Sequence, residues 1–408
     1  MKKSTFFDYL NRRVDMDFAT LLEQGVEDQD YIVWNDFLLP NHYGNAEQEY
    51  NAIRNKSAIF DVSPIRKIRI KGPAAGQLLD YALTRPVSKS LAMRGIYVAY
   101  CNDDGSLKDD SILYKFADDD YLLMPSDINH IPYLETLSRQ LAIEEPMLTL
   151  EECTDDWSGL AIQGPLSAIV INAMGLINVE HIKPFEVVDY ALAETTIKIA
   201  RMGFTADLGY ECWFPTSLAK SVEAMIDKAR AELDFDLLGY GLGALEVCRL
   251  EGGFVVAGWD FATELDPDPE FKRSPYEVGL GWLVNLQGDD FVGKKALEAE
   301  KNIGHKWLHR TLQIDTVEGQ KPGEHLPEHV DGTLYTLLDN DIVEIGSIDC
   351  SAWSWGMQKT IGNASIYAQY KELTEAFLLV NNCKHRVHLL RGAHINLERR
   401  NQIPARIS

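Results

Sequence analysis

The sequence lacks long apolar runs, paired cysteines and an excess of basic residues, and each absence excludes a class of protein. No apolar stretch approaches the roughly 18 residues of a membrane span, and the N-terminus has no apolar core of signal-peptide length, so we expect an intracellular, cytoplasmic protein. The six cysteines form no CxxC pair, which argues against a disulfide framework, a zinc site or an iron–sulfur site. The 62 acidic residues outnumber the 39 basic ones and the net charge is −23, so neither nucleic acid nor an anionic membrane is an expected partner.

Several cofactor and catalytic motifs are also missing. The chain contains no phosphate loop, no GxGxxG fingerprint and no G-x-S-x-G elbow, so hydride transfer with a bound dinucleotide has no support. The segment HLPEH (325–329) spells the H-x-x-E-H pattern of zinc proteases, which requires a helix that stacks its two histidines. Pro327 in its middle disfavours that helix, and we predict a solvated loop and no metal site.

The chain contains one internal similarity. IRIKGPAAGQLLDYA (68–82) aligns without gaps with LAIQGPLSAIVINAM (160–174), each giving an apolar strand, a Gly-Pro break and a helical pattern. The glycine permits a turn, and the proline suits the first position of the helix that follows. The pattern predicts a duplicated α+β framework, with chance similarity as the alternative.

The remaining segments predict a meander, three helices and a C-terminal β domain. With 408 residues we expect two or three compact units. We predict α+β regions at residues 1–150 and 151–300 and a β-barrel at residues 301–408. The patterns predict an antiparallel meander over residues 97–124 and helices over residues 131–141, 217–233 and 242–250.

Two acidic positions are candidate binding residues. Asp109 and Asp110 follow a turn, where acidic residues are common, but strict alternation also puts Asp110 on one strand face with Tyr114. In GFTADLGYECWF (203–214), alternation places Glu211 and Trp213 on the same face. A carboxylate beside an aromatic ring suits a flat heterocycle with neighbouring N–H donors, such as a pterin, because charged acceptors make strong hydrogen bonds. From the residues alone an exposed-face glutamate is the favoured alternative.

The order of several motifs closely resembles the glycine cleavage T-protein superfamily, the folate-dependent aminomethyltransferases and demethylases, over roughly residues 30 to 365. The motifs are FDVSPIRKIRIKGP (60–73), CNDDGSLKDDSILY (101–114), LAIQGP (160–165), GFTADLGYE (203–211), GLGALEVCRLEGG (241–253), SPYEVGLGWLVNL with DFVGKKAL (274–297) and GSIDCSAWSWGMQKTIG (346–362). The resemblance implies two related α+β domains and a β-barrel in a ring, or cloverleaf, around a central tetrahydrofolate site.

The resemblance also assigns roles to individual residues. It implies that Glu211 grips the pterin edge and that Asp110, the catalytic candidate, lies near the reactive folate nitrogens. Tyr97 and Tyr114 match positions that line the same cavity. Trp213 is a candidate wall of that cavity because it lies on the same strand face as Glu211.

Departures from the T-protein pattern favour a donor other than the glycine cleavage intermediate. Leu245 stands where the family's GLGARD motif has arginine, SPIR (63–66) stands where the family has SHMG, and GFTA (203–206) replaces GYTG. We therefore expect a tetrahydrofolate-dependent demethylase that transfers a methyl group from a sulfonium, methoxy-aromatic or N-methyl compound to N5. The alternatives are a glycine cleavage aminomethyltransferase, which would need a lipoyl carrier protein, and a non-catalytic folate-binding regulatory protein.

Overall fold

A computed structural model describes residues 2–11, 31–144, 146–176, 178–192, 194–315, 317, 319–327 and 330–404. The helices are α1 (Phe7–Leu10), α2 (Ala46–Asn55), α3 (Ala75–Ala82), α4 (Ile131–Gln140), α5 (Ser167–Ala173), α6 (Ala219–Glu232), α7 (Leu242–Glu251) and α8 (Lys294–Ile303). The strands are β1 (Lys2–Lys3), β2 (Tyr31–Trp34), β3 (Phe37–Pro40), β4 (Ala58–Asp61), β5 (Ile68–Lys71), β6 (Arg94–Cys101), β7 (Leu107–Ala117), β8 (Asp120–Pro125), β9 (Thr149–Glu152), β10 (Trp157–Gln163), β11 (Val187–Leu192), β12 (Thr195–Ala200), β13 (Gly209–Pro215), β14 (Leu238–Gly239), β15 (Trp307–Ile314), β16 (Thr333–Leu338), β17 (Asp341–Ser354), β18 (Lys359–Tyr367), β19 (Glu375–Val380) and β20 (Cys383–Leu390). The predicted α+β class is confirmed.

Two sheets share one topology, which confirms the predicted duplication. The first sheet has the order β6-β7-β8-β5-β9, and the second has the order β11-β12-β13-β10-β4-β14. In each sheet a strand leads into a helix and then into a three-stranded antiparallel meander. The last strand of the meander pairs with the strand that precedes the helix. The predicted meander over residues 97–124 is β6 to β8.

The two halves exchange one strand. Strand β4 precedes β5 in the chain but pairs with β10, and β9 precedes β10 but pairs with β5. The outer edges of β5 and β10 are therefore each covered by a strand from the other half of the protein. This pairing satisfies backbone groups that would otherwise be exposed. The exchange ties the two halves together.

Helices cover one face of each sheet, and the other faces meet. Helices α3 and α4 bury leucines against the first sheet, and α5 and α6 bury Val170 and Ile226 against the second. Between the sheets a shared apolar cluster contains Tyr114 and Leu122 from the first sheet and Trp213 from the second. The meeting of these two faces positions the candidate site.

The C-terminal part contains the predicted β-barrel. Its six strands close in the order β15-β18-β17-β16-β19-β20 around their own apolar core. Helix α7 joins the barrel to the rest because its buried side chains pack in the apolar cluster that also contains Ala352 and Ile361 of the barrel. None of the helices in the described ranges has the length and apolar character that a membrane span requires.

The Gly-Pro turns of the two repeats have the same geometry. Gly72 has φ = 120° and Gly164 has φ = 124°, values that side chains with a Cβ rarely adopt. In each repeat the glycine carbonyl accepts a hydrogen bond from the N–H three residues later, of Ala75 or Ser167. The proline that follows each glycine therefore lies in this turn, two positions before the helix, and the prediction of a helical first position was wrong. Proline favours the second position of such a turn because its φ is already set.

We expect Gly164→Ala to lower the free energy of unfolding by about 2–3 kcal/mol. The φ value strains any residue with a Cβ, and that Cβ would lie 2.6 Å from the carbonyl oxygens of Ile53 and Lys56. Urea unfolding followed by circular dichroism measures the change. Gly44→Ala is the matched control because, beyond its chain neighbours, no atom of the described residues lies within 4 Å of its added Cβ. An equal effect of the two substitutions would contradict the steric argument.

Candidate functional site

Strand β7 presents alternate residues to two different environments. Asp109, Ser111 and Leu113 are buried on the helix-covered face, whereas Asp110 and Ile112 are half-buried on the face toward the second sheet. Asp110 therefore lies on the strand face that alternation predicted.

Glu211 of β13 is hydrogen-bonded to the opposite sheet. The Tyr114 hydroxyl donates to Oε2 of Glu211 at 2.9 Å, and the indole N–H of Trp213 donates to the same oxygen at 3.2 Å. Glu211 is half-buried, so it is not the solvated side chain that its sequence alone favoured. Burial raises the pKa of Glu211, and the two hydrogen bonds oppose that rise.

Trp213 supports Glu211 from within the sheet. Only 2% of its surface is exposed, and a Cβ on Gly159 would lie 2.3 Å from the indole ring. The Nζ atom of Lys67 also lies 5.3 Å from the centre of the indole ring. Trp213 therefore contributes its indole N–H to the site, and its ring packs against the backbone at Gly159.

Asp110 is paired with a tyrosine on the neighbouring strand. The Tyr97 hydroxyl donates a hydrogen bond to Oδ2 of Asp110 at 2.7 Å. The Tyr97 ring centre lies 6.0 Å from that of Trp282, whose side chain is 65% exposed. Burial, followed by the neighbouring Asp109 carboxylate, raises the pKa of Asp110 to about 7. Asp110 and Tyr97 thus form a second polar pair on the same sheet face as Tyr114.

Asp109 forms a buried pair behind this face. His130 Nε2 lies 2.7 Å from Oδ2 of Asp109, and the imidazole stacks on Tyr100 with ring centres 4.6 Å apart. Burial lowers the pKa of His130 to about 4 and raises the pKa of Asp109 well above its usual range. Burial therefore disfavours the charged form of both members of this pair.

We expect Asp110→Asn to stabilise the free protein increasingly as pH rises from about 4 to 7. The folded protein holds the Asp110 proton up to about pH 7, whereas the unfolded chain releases it near 3.8, so the parent loses stability across this window. The gain of the variant over the parent should rise by up to about 1.4 kcal/mol for each pH unit of this window and level off above pH 7. Urea unfolding at several pH values measures it, with the exposed strand residue Asp341→Asn as control; a gain that is constant with pH would contradict the assignment.

Sequence reasoning missed the residues that support these pairs. His130 has no ligand spacing to mark it, and the only signal for Asp109 is its position next to Asp110. It also missed a group formed by Asp260, His309 and Asp349, whose ligand atoms all lie within 4.8 Å of one another. In the HLPEH motif residues 325–327 form no helix, and Glu328 and His329 lie outside the described residues.

The duplicated sheets, the strand exchange and the closed barrel define a protein of the glycine cleavage T-protein superfamily. Residues 21–288 match the family model described as GCVT N-terminal domain, so the chain belongs to this family. Tetrahydrofolate is the one-carbon carrier that this family uses.

The comparisons with individual proteins agree with the family. The chain is 27% identical to an aminomethyltransferase of Oceanobacillus iheyensis over 361 residues, 87% of this chain and 90% of that protein. It is 29% identical to an aminomethyltransferase of Halothermothrix orenii over 343 residues, 84% of this chain and 88% of that protein. The crystal structure of glycine cleavage system aminomethyltransferase T from Bartonella henselae superimposes with a TM-score of 0.76 at 19% identity, covering 97% of this chain and 98% of that one, which shows the shared fold.

The residues of the site fit tetrahydrofolate chemically. Both hydrogen bonds to Glu211 reach Oε2, and within the described part of the chain no donor reaches Oε1. A half-buried carboxylate with one open oxygen is suited to the adjacent N–H donors of a pterin edge. Asp110 lies four positions from Tyr114 on the same face of β7, so their Cα atoms are roughly 13 Å apart along the strand.

Proposed function

We propose that this protein binds tetrahydrofolate between its two sheets and transfers a one-carbon group between that cofactor and a donor. The observation that carries the proposal is Glu211, a half-buried carboxylate that Tyr114 holds from the opposite sheet and whose Oε1 has no described donor. A carboxylate in this position needs a partner, because an unpaired buried charge is costly. Family membership supplies the chemical identity of that partner.

The side chains have separate tasks in this proposal. When bound, tetrahydrofolate would supply a nucleophilic nitrogen that carries the one-carbon group. Glu211 would accept hydrogen bonds from the pterin edge, with Tyr114 and the indole N–H of Trp213 fixing its orientation. Asp110, held by Tyr97, would orient the reactive end and set the charge around it. Positioning of this kind accounts for much of the acceleration of group transfer between two bound molecules.

Aminomethyl transfer is the first candidate reaction. The relatives reported above carry the name aminomethyltransferase, and each alignment covers more than four fifths of both chains. This finding favours the glycine cleavage alternative over the demethylase that the motif departures predict. In that reaction a lipoyl carrier protein would deliver the aminomethyl group and ammonia would be released.

Demethylation is the second candidate, and Leu245 favours it. This leucine replaces the arginine of the T-protein motif, and its side chain packs among the apolar residues between the two halves. Leucine cannot make the charge-assisted hydrogen bonds of a guanidinium, so this position differs chemically from its counterpart in a T-protein. A small sulfonium, methoxy-aromatic or N-methyl compound would then be the methyl donor.

One experiment separates the candidates. The protein is incubated with tetrahydrofolate and either an aminomethylated lipoyl carrier protein or a panel of the three small donor classes, and folate products are identified by mass spectrometry. Carrier-dependent release of ammonia with 5,10-methylenetetrahydrofolate supports aminomethyl transfer, and 5-methyltetrahydrofolate from a small donor supports demethylation. Tetrahydrofolate binding without turnover in either arm supports the regulatory alternative, and absence of binding contradicts the proposal.

A further inference from the structure

The Asp260, His309 and Asp349 group lies beside Tyr97, which lines the proposed tetrahydrofolate cleft. Phe261, which follows Asp260, packs in the same apolar cluster as Tyr97. The Asp260 carboxylate is close enough to help raise the pKa of both Tyr97 and Asp110. His309 comes from the barrel strand β15 and Asp349 from β17, so the barrel supplies two of the three members.

The three side chains differ in how many partners they have. Asp260 is fully hydrogen-bonded: Oδ1 accepts from the Asn363 amide at 2.7 Å, and Oδ2 accepts from Arg249 at 3.1 Å and from the Val256 N–H at 2.8 Å. Asp349 accepts a hydrogen bond from the Ser365 hydroxyl at Oδ2, 2.9 Å away, but its buried Oδ1 accepts none from any residue that the structure describes. Buried carboxylate oxygens without a donor are rare because each one costs its full desolvation.

The imidazole of His309 is a second open acceptor. Within the described ranges no hydrogen bond reaches its ring nitrogens, and burial lowers its pKa, so the ring is neutral. A neutral imidazole has one nitrogen that accepts a hydrogen bond. The group therefore offers two open acceptors, on His309 and Asp349, next to the charged carboxylate of Asp260.

The two arginines near the group do not contact Asp349 directly within the described chain. Arg249 divides its guanidinium between Asp260 and Glu246, which lies 2.6 Å away. Arg273 reaches Asp349 only through the hydroxyl of Ser365, to which it donates at 3.2 Å. Asp349 thus has no cation in direct contact within the described chain, and burial together with the Asp260 carboxylate raises its pKa well above the usual range. A positively charged partner would stabilise its ionised form.

We propose that Asp349, His309 and Asp260 hold the positively charged group of the one-carbon donor, an ammonium or a sulfonium. This inference rests on the proposed function, because it names the donor class for the same cleft. A divalent metal fits less well, since the Asp260 oxygens already accept fixed donors and only two open ligands remain.

Binding of small probes tests the proposal without requiring turnover. Methylammonium and trimethylsulfonium ions are titrated into the protein and followed by saturation-transfer NMR, with neutral tert-butanol as the uncharged probe. We expect the two cations to bind and tert-butanol to bind at least tenfold more weakly. Asp349→Asn should weaken cation binding at least tenfold, and His309→Gln should weaken methylammonium more than trimethylsulfonium, which has no N–H to donate.

The controls separate this inference from the proposed function. Asp341→Asn, an exposed position on the same strand as Asp349, should leave cation binding unchanged. Retained tetrahydrofolate binding and an unchanged melting temperature show that the Asp349→Asn protein is folded. Equal binding of the neutral probe, unchanged cation binding by both site variants, or Asp349-dependent binding of Mn²⁺ or Zn²⁺ in place of the organic cations would overturn the inference. Failure of the parent protein to bind tetrahydrofolate would instead overturn the proposed function.

Discussion

Substitution of Glu211 by alanine should weaken tetrahydrofolate binding about 100-fold. Hydrogen bonds to a charged acceptor contribute about 1.5–3 kcal/mol each, and loss of about 3 kcal/mol corresponds to a factor of roughly 100 in the dissociation constant. Glu211→Gln keeps the shape of the side chain but removes the charge and presents a donor to the pterin N–H groups, so its loss should be nearly as large. Anaerobic isothermal titration calorimetry with tetrahydrofolate measures both.

The Glu211→Gln variant should not destabilise the free protein at neutral pH. Burial raises the pKa of Glu211, so the charged carboxylate lowers the stability of the fold once pH exceeds its unfolded pKa, and the amide lacks that cost. We therefore expect Glu211→Gln to keep or raise the melting temperature although it weakens tetrahydrofolate binding. Groups that function requires often lower the stability of the free protein. Glu344→Ala, at an exposed position of a barrel strand, is the control for binding. Equal tetrahydrofolate affinity of Glu211→Ala and the parent would contradict the role of this carboxylate.

Substitution of Arg54 by leucine should lower the free energy of unfolding by about 3–5 kcal/mol, the largest effect that we expect on stability. Arg54 of α2 donates to Glu251 of α7 at 2.6 Å and to Asp207 at 3.2 Å, and both carboxylates are almost completely buried. Glu251 also accepts from the Tyr50 and Ser354 hydroxyls, each at 2.6 Å. Removal of the guanidinium would leave Glu251 buried with only the two hydroxyl donors, whereas Asp207 would keep its ion pair with Arg399 at 2.7 Å.

A double-mutant cycle tests this explanation. The variant Arg54→Leu with Glu251→Leu should cost less than the sum of the two single substitutions, because each single change leaves the other charge buried without its main partner. Arg391→Leu is the matched control, since its ion pair with Glu372 is exposed at both ends, and we expect little change. Additive effects at Arg54 and Glu251, measured by urea unfolding, would show that the two side chains act independently.

Much of the fold could be predicted because its signals are local. The two Gly-Pro repeats, the meander and the apolar periodicity of α4 and α7 depend on residues within about fifteen positions of one another. The predicted helix over residues 217–233 begins with a short 3-10 turn at Thr216–Leu218 and continues as α6. The division at residues 150 and 300 stays a prediction. The exchange of β4 and β9 has no local signal, because strand partners across the two halves depend on how the sheets meet.

The sequence by itself determined the repeated framework, the strand faces of Asp110 and Glu211, and the family to which the motifs point. Those features follow from the two-residue period of a strand and from motif order, neither of which needs knowledge of distant contacts. Only the tertiary structure decided that Tyr114 donates to Glu211 across 97 residues of sequence, and that Asp260, His309 and Asp349 meet beside Tyr97. Side chains from separate elements come together because whole sheets and a barrel pack against one another. The positions of such residues along the chain do not indicate that packing.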